Sequence, residues 1–61
     1  MIIIIQHKTN SDWKDIFDGV FKAELNVFDK ENVVIDMKFK DGTCKAKEVD
    51  TTVYDIKMYN D

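Results

Sequence analysis

Apolar and polar positions alternate along much of this chain, but not at its start, where "MIIIIQ" places four isoleucines in succession. Successive side chains of a strand point to opposite faces, so the run predicts a strand over 2–6 that is apolar on both sides. "TNSDWKDIFDGVFKAEL" follows with another rhythm. Trp13, Ile16, Phe17, Val20 and Phe21 fall at i, i+3, i+4, i+7 and i+8, with Asp12, Asp15, Asp18 and Lys22 on the other flank, the period of an amphipathic helix. Ser11 supplies an N-cap, and Asp12 and Asp15 suit the positive end of a helix dipole, which gives a helix over 12–24. A competing strand over 20–28 is also legible. Phe21, Ala23, Leu25 and Val27 alternate with Lys22, Glu24 and Asn26, and Gly19 then ends a shorter helix.

The second half reads as a three-stranded meander over 33–59. "NVVIDMKF" alternates, and Asp41-Gly42 is a strong hairpin signal. A two-residue loop there pairs Lys40 with Thr43 and Phe39 with Cys44. A loop at 50–52 then returns "VYDIKMY" as a third strand. On this register one face carries Phe39/Cys44/Met58, Met37/Ala46/Ile56 and Ile35/Glu48/Tyr54, apolar except for Glu48. The other carries Val34/Val49/Val53, Asp36/Lys47/Asp55, the lysine ladder Lys38/Lys45/Lys57, and Lys40/Thr43/Tyr59. A one-residue slip would exchange these faces.

Together the elements predict a single α+β domain over 1–61, of order β-α-β-β-β, with one helix packed on an antiparallel sheet. The helix covers one sheet face only, so two of the isoleucines face outward with the valine row. Such an apolar patch marks an interaction site. If 20–28 is a strand, "DGVFKAELNVFDKENVVIDMKFKDG" resembles the opening strands of Tudor-type SH3-like barrels, with Ala23 on the first strand and "FKDG" closing the second. That resemblance implies a five-stranded SH3-like barrel with a short helix, while of the family's aromatic ligand cage only Trp13 and Phe39 are evident.

Length and composition narrow the function classes. A domain of 61 residues buries only about 60% of its unfolded surface and has marginal stability. Cys44 is the only cysteine and His7 the only histidine, so neither a disulfide nor a Cys/His metal set is expected to staple the fold. Self-association or a partner is the remaining source of stability. The isoleucine run is too short for a signal peptide or a spanning helix, and with the lone thiol this predicts a cytoplasmic protein, in the host cytoplasm if viral. All nine basic residues are lysine, proline is absent, and Ile, Lys and Asn together fill 20 of 61 positions. An AT-rich genome writes such usage, and very small acidic proteins of bacteriophage early genes share it.

No catalytic constellation or cofactor is expected. Cys44 is assigned to the buried face, where a thiol is inert, and Gly19 and Gly42 build no phosphate cradle. Asp12, Asp15 and Asp18 read as a solvated acidic flank. Lys38, Lys45 and Lys57 oppose one another at some cost, a strip that either keeps the sheet soluble and unpaired or binds a partner beside Tyr59. The net charge of −3 makes nucleic acid the less favoured partner, and no membrane contact is expected. The expected function is therefore non-catalytic: a small, phage-type protein that inhibits or modulates a host protein, such as a nuclease or defence complex, by occupying a functional surface. The binding residues would be Lys38, Lys45, Lys57, Tyr59, Val34, Val49 and Val53, or the flank Asp12, Asp15 and Asp18. A homodimer through the outer sheet face and first strand, a structural homo-oligomer, and an SH3/Tudor-like nucleic-acid-binding or peptide-binding module are the alternatives.

Overall fold

Residues 1–60 are described by a computed structural model of the chain. β1 (Ile2–His7) is the strand that the isoleucine run demands, and it lies in the middle of a sheet. It is flanked on both sides by antiparallel partners, β2 (Lys14–Phe17) and β6 (Tyr54–Tyr59). The remaining strands, β3 (Val20–Val27), β4 (Asn32–Phe39) and β5 (Cys44–Asp50), form a second antiparallel sheet in that order. The two sheets enclose a core of Ile3 and Ile5 from the first and Val20, Ile35, Met37 and Val49 from the second.

The architecture is all-β, and the α+β expectation is corrected: no helix occurs among the described residues. The segment 12–24 instead forms β2, a corner at Asp18-Gly19, and β3. Trp13, Ile16, Phe17, Val20 and Phe21 are aromatic or β-branched and fit a pleated surface better than a helix. Gly19 sits at φ 71°, a left-handed conformation closed to a helix interior and cheap only for glycine. The corner explains the misleading period. It lets Phe17, at the end of one strand, and Val20, at the start of the next, both face the core, and so mimics an i, i+3 spacing. Val20 donates its N–H to the Met1 carbonyl at 3.1 Å, and Lys40 donates to the Gly19 carbonyl at 2.9 Å, which holds the corner against both sheets. The competing strand over 20–28 is the one the chain adopts, as β3, although the short helix that accompanied it is absent.

The β4–β5 hairpin differs from expectation by one residue. Phe39 N–H donates to the Thr43 carbonyl at 2.8 Å and Gly42 N–H to the Phe39 carbonyl at 3.0 Å, so the loop holds Lys40, Asp41 and Gly42. Gly42, at φ 91°, takes the left-handed place that such a loop requires. Lys38 consequently pairs with Cys44, and Ile35 with Lys47. Every β5 side chain is thereby turned over relative to the two-residue loop. Glu48, the misfit of the expected buried face, moves outward, and Val49 enters the core at 2% exposure.

The slip also turns Lys45 and Lys47 toward the first sheet. Lys45 places its ammonium 5.7 Å from the Phe17 ring centroid, and Lys47 lies 3.6 Å from the Asp15 carboxylate. Inward-pointing charges of this kind protect an edge strand from further pairing.

Nor does β6 extend the meander. The turn at 51–53 is closed by Val53 N–H on the Asp50 carbonyl, while Lys8 N–H takes the Val53 carbonyl at 2.9 Å and draws the chain to β1. A central strand of four isoleucines buries more surface with neighbours on both edges than with one. That gain outweighs the shorter connection along the meander.

Three turn carboxylates fix the loops. Asp29 accepts the N–H groups of Glu31 and Asn32 and the Asn32 amide, Asp41 accepts the Thr43 hydroxyl and N–H, and Asp50 accepts the Thr52 hydroxyl and N–H. These donors hold all three carboxyls below the ordinary value of 3.8. The leading cause is the Glu31 N–H at Asp29, the Thr43 hydroxyl at Asp41 and the Thr52 hydroxyl at Asp50. Thr51 ties two of these loops together through its N–H and hydroxyl to the Glu31 carbonyl.

Candidate interaction surfaces

The outer face of the first sheet accounts for the remaining isoleucines. Because Ile3 and Ile5 point into the core, Ile2 and Ile4 point out. The registers place them in three rows: Tyr59 beside Ile2, then Lys57, Ile4 and Ile16, then Asp55, Gln6 and Lys14. Ile16 is 58% exposed and Tyr59 52% exposed, while Ile2 and Ile4 are half-buried. Lys57 reaches the Gln6 amide oxygen at 3.4 Å and Lys8 reaches the Asp55 carboxylate at 4.0 Å, which leaves the apolar centre rimmed by charge.

The outer face of the second sheet is polar. Its rows are Lys22/Lys38/Cys44, Glu24/Asp36/Ala46 and Asn26/Val34/Glu48. The first two rows line a shallow groove of about 450 Å³. The Asn26 amide donates to Asp36 at 2.6 Å, and Cys44 is exposed at the groove's end.

A third region lies at the far end of β1. His7, Thr9, Asn10, Trp13 and Tyr54 surround a cleft of about 410 Å³. His7 and Tyr54 meet edge to face at 5.4 Å, and Trp13 is 64% exposed. Nδ1 of His7 accepts the N–H groups of Thr9 and Asn10 at 3.2 and 3.1 Å, so this nitrogen organises the turn. The helix expectation placed Trp13 in a core and hid this cluster. Reading 2–17 as a hairpin would have found it, since His7 N–H bonds the Trp13 carbonyl.

The expected binding residues are scattered. Lys38 and Val34 lie on the outer face of the second sheet, Lys57 and Tyr59 on that of the first, and Lys45 faces inward over Phe17. Val49 is core, and Val53 sits in the turn before β6. The lysine ladder therefore does not assemble. Asp12, Asp15 and Asp18 share no helix flank: Asp12 is in the β1–β2 loop, Asp15 is on β2 beside Lys47, and Asp18 accepts the Gly19 N–H at the corner.

Trp13 and Phe39 also stand apart, since one adjoins His7 and the other pairs with Val20 beside Met1. A strand of this length separates them by roughly 20 Å. His7 lines the cleft and Cys44 the groove. Among the described residues no three His, Cys, Asp or Glu side chains are grouped to hold a metal ion, and no helix is long and apolar enough to cross a membrane. No protein-family model, curated protein or solved structure matches the chain.

Proposed function

We propose that this chain is a non-catalytic binding module that docks the outer face of its first sheet onto another protein and inhibits or redirects that protein by occupancy. One observation carries the reading: Ile2, Ile4, Ile16 and Tyr59 stand side by side on a three-stranded face that no layer of the described residues covers. Contiguous apolar surface of this kind is characteristic of interaction sites. Lys14 and Lys57 on the same face favour a partner with an apolar centre and an acidic rim. The residue usage shared with small phage proteins makes a bacterial protein, such as a nuclease or a defence complex, the target class to search. A nucleic-acid reading has less support, because Lys38 and Lys57 lie on the outer faces of different sheets and Lys45 points between the sheets over Phe17, so the three do not form one strip along a phosphate backbone.

Capture from a nuclease-treated bacterial lysate, with the tag at the C-terminus, tests the surface. Ile16→Glu replaces an exposed side chain and should leave the fold intact, yet it should abolish recovery of a stoichiometric partner. Lys38→Glu, on the other sheet, should not. Recovery that survives Ile16→Glu, or that fails only with Lys38→Glu, overturns the assignment.

A further inference from the structure

β3 is a free edge of the second sheet, and its exposure is unusual for an edge. Phe21 is 66% exposed, Leu25 49%, Val27 74%, and Phe28 just beyond it 71%. Long apolar edges template pairing with another chain unless something blunts them; β3 is bulged between Val20 and Lys22, and its register with β4 is regular from Lys22 to Val27. The phase of the ladder is set by the hairpin bond from Phe28 N–H to the Asn32 carbonyl. Peptide groups alternate in direction along an antiparallel strand, so Asn26, Glu24 and Lys22 aim theirs at β4. Ala23 and Leu25 aim theirs at open solvent.

The charges on this strand are arranged against the monomer. Lys22 stands opposite Lys38 and Glu24 opposite Asp36, two like-charge pairs that destabilise a sheet where they face one another. We propose that β3 pairs antiparallel with β3 of a second copy of this chain, about a two-fold axis through Ala23. That axis sets Lys22 against Glu24 of the second copy and Phe21 against its Leu25, with the small Ala23 at the centre. Each outer row then reads Lys38, Lys22, Glu24, Asp36 across the join, so both like-charge pairs gain an opposite neighbour.

Other axes are worse. A centre at Lys22 or at Glu24 sets like charges face to face, and a centre at Leu25 leaves both unmatched. The pairing ends at Val20, whose N–H already serves the Met1 carbonyl. The result is a continuous six-stranded sheet, and the outer face of the first sheet takes no part in it.

A five-residue join with three apolar side chains from each copy is smaller than the roughly 800 Å² per partner of a standard interface, so the dimer forms at micromolar concentration. Sedimentation velocity from 1 µM to 1 mM tests it, with charge reversals chosen to spare the fold. Lys22→Glu and Glu24→Lys each improve the pairing with β4 within the chain, yet each sets like charges across the join. Either should raise the dimer dissociation constant at least tenfold. The double reversal, and a mixture of the two single variants, should both restore it, while Ile16→Glu should leave it unchanged. A chain that stays monomeric to 1 mM overturns the proposal. A dimer indifferent to both reversals, or one lost with Ile16→Glu, overturns it equally.

Discussion

The register of β5 is open to a direct energetic test, because the observed three-residue loop and a two-residue loop bury opposite side chains. Val49→Ala removes two buried carbons from a site only 2% exposed and surrounded by the core. At about 0.8 kcal/mol per buried methylene the transfer loss is about 1.6 kcal/mol. An unrelaxed cavity brings the total to about 2–2.5 kcal/mol. A domain of this length has roughly 3–9 kcal/mol of stability in all, so about a fifth or more disappears.

With a urea slope of about 1 kcal/mol/M, the unfolding midpoint should fall by about 2 M. Glu48→Ala, on the outer face, should move it by no more than about 0.5 M. Val34→Ala, also outward on β4, carries the β-propensity loss alone and should fall between them. The reasoning is refuted if Val49→Ala is nearly silent while Glu48→Ala raises the midpoint, since that pattern belongs to a chain with Glu48 facing the core.

Two further outcomes follow from the turns. Gly19→Ala should destabilise by about 1–2 kcal/mol through its φ of 71° alone, because a Cβ there meets nothing within 4 Å. Gly19→Asn should recover part of the loss, and a thermal scan in which both variants match wild type would remove strain from the account. The carboxyls of Asp29, Asp41 and Asp50 are held below 3.8 in the fold, so near that pH the unfolded chain binds the extra protons and stability rises with pH. The contribution is complete above about pH 5 and is lost as pH falls through 3.8 toward the depressed values. The triple Asn variant should therefore lose less of its urea midpoint than wild type between pH 5 and pH 2.5, and an equal loss would show that the turns do not carry the acid response.

Strand existence was largely legible in the residues. β1, β4, β5 and β6 fall where alternation and apolar runs place them, and the exposed apolar patch follows from four isoleucines that cannot all face one core. The segment 12–24 is misleading in sequence, because two short strands joined at a glycine corner reproduce a helical period. The candidate surface was legible in kind but not in membership. Tyr59 and Lys57 belong to it, whereas Val49 is core and Ile16 was assigned to a buried helix face.

Local features follow from the residues alone: which side chains alternate, where Gly19 and Gly42 allow a left-handed turn, and that the isoleucine run must be a strand with two apolar faces. Which strands are neighbours and which faces are inside depends on how the whole chain packs. Alternation has a period of two, so it labels the faces of a strand without saying which one is buried, and a single extra loop residue at Lys40-Asp41-Gly42 exchanges them. Strand partners are likewise chosen by the surface that the whole chain buries. A central β1 drew β6 away from β5, and no residue within β6 announces that choice.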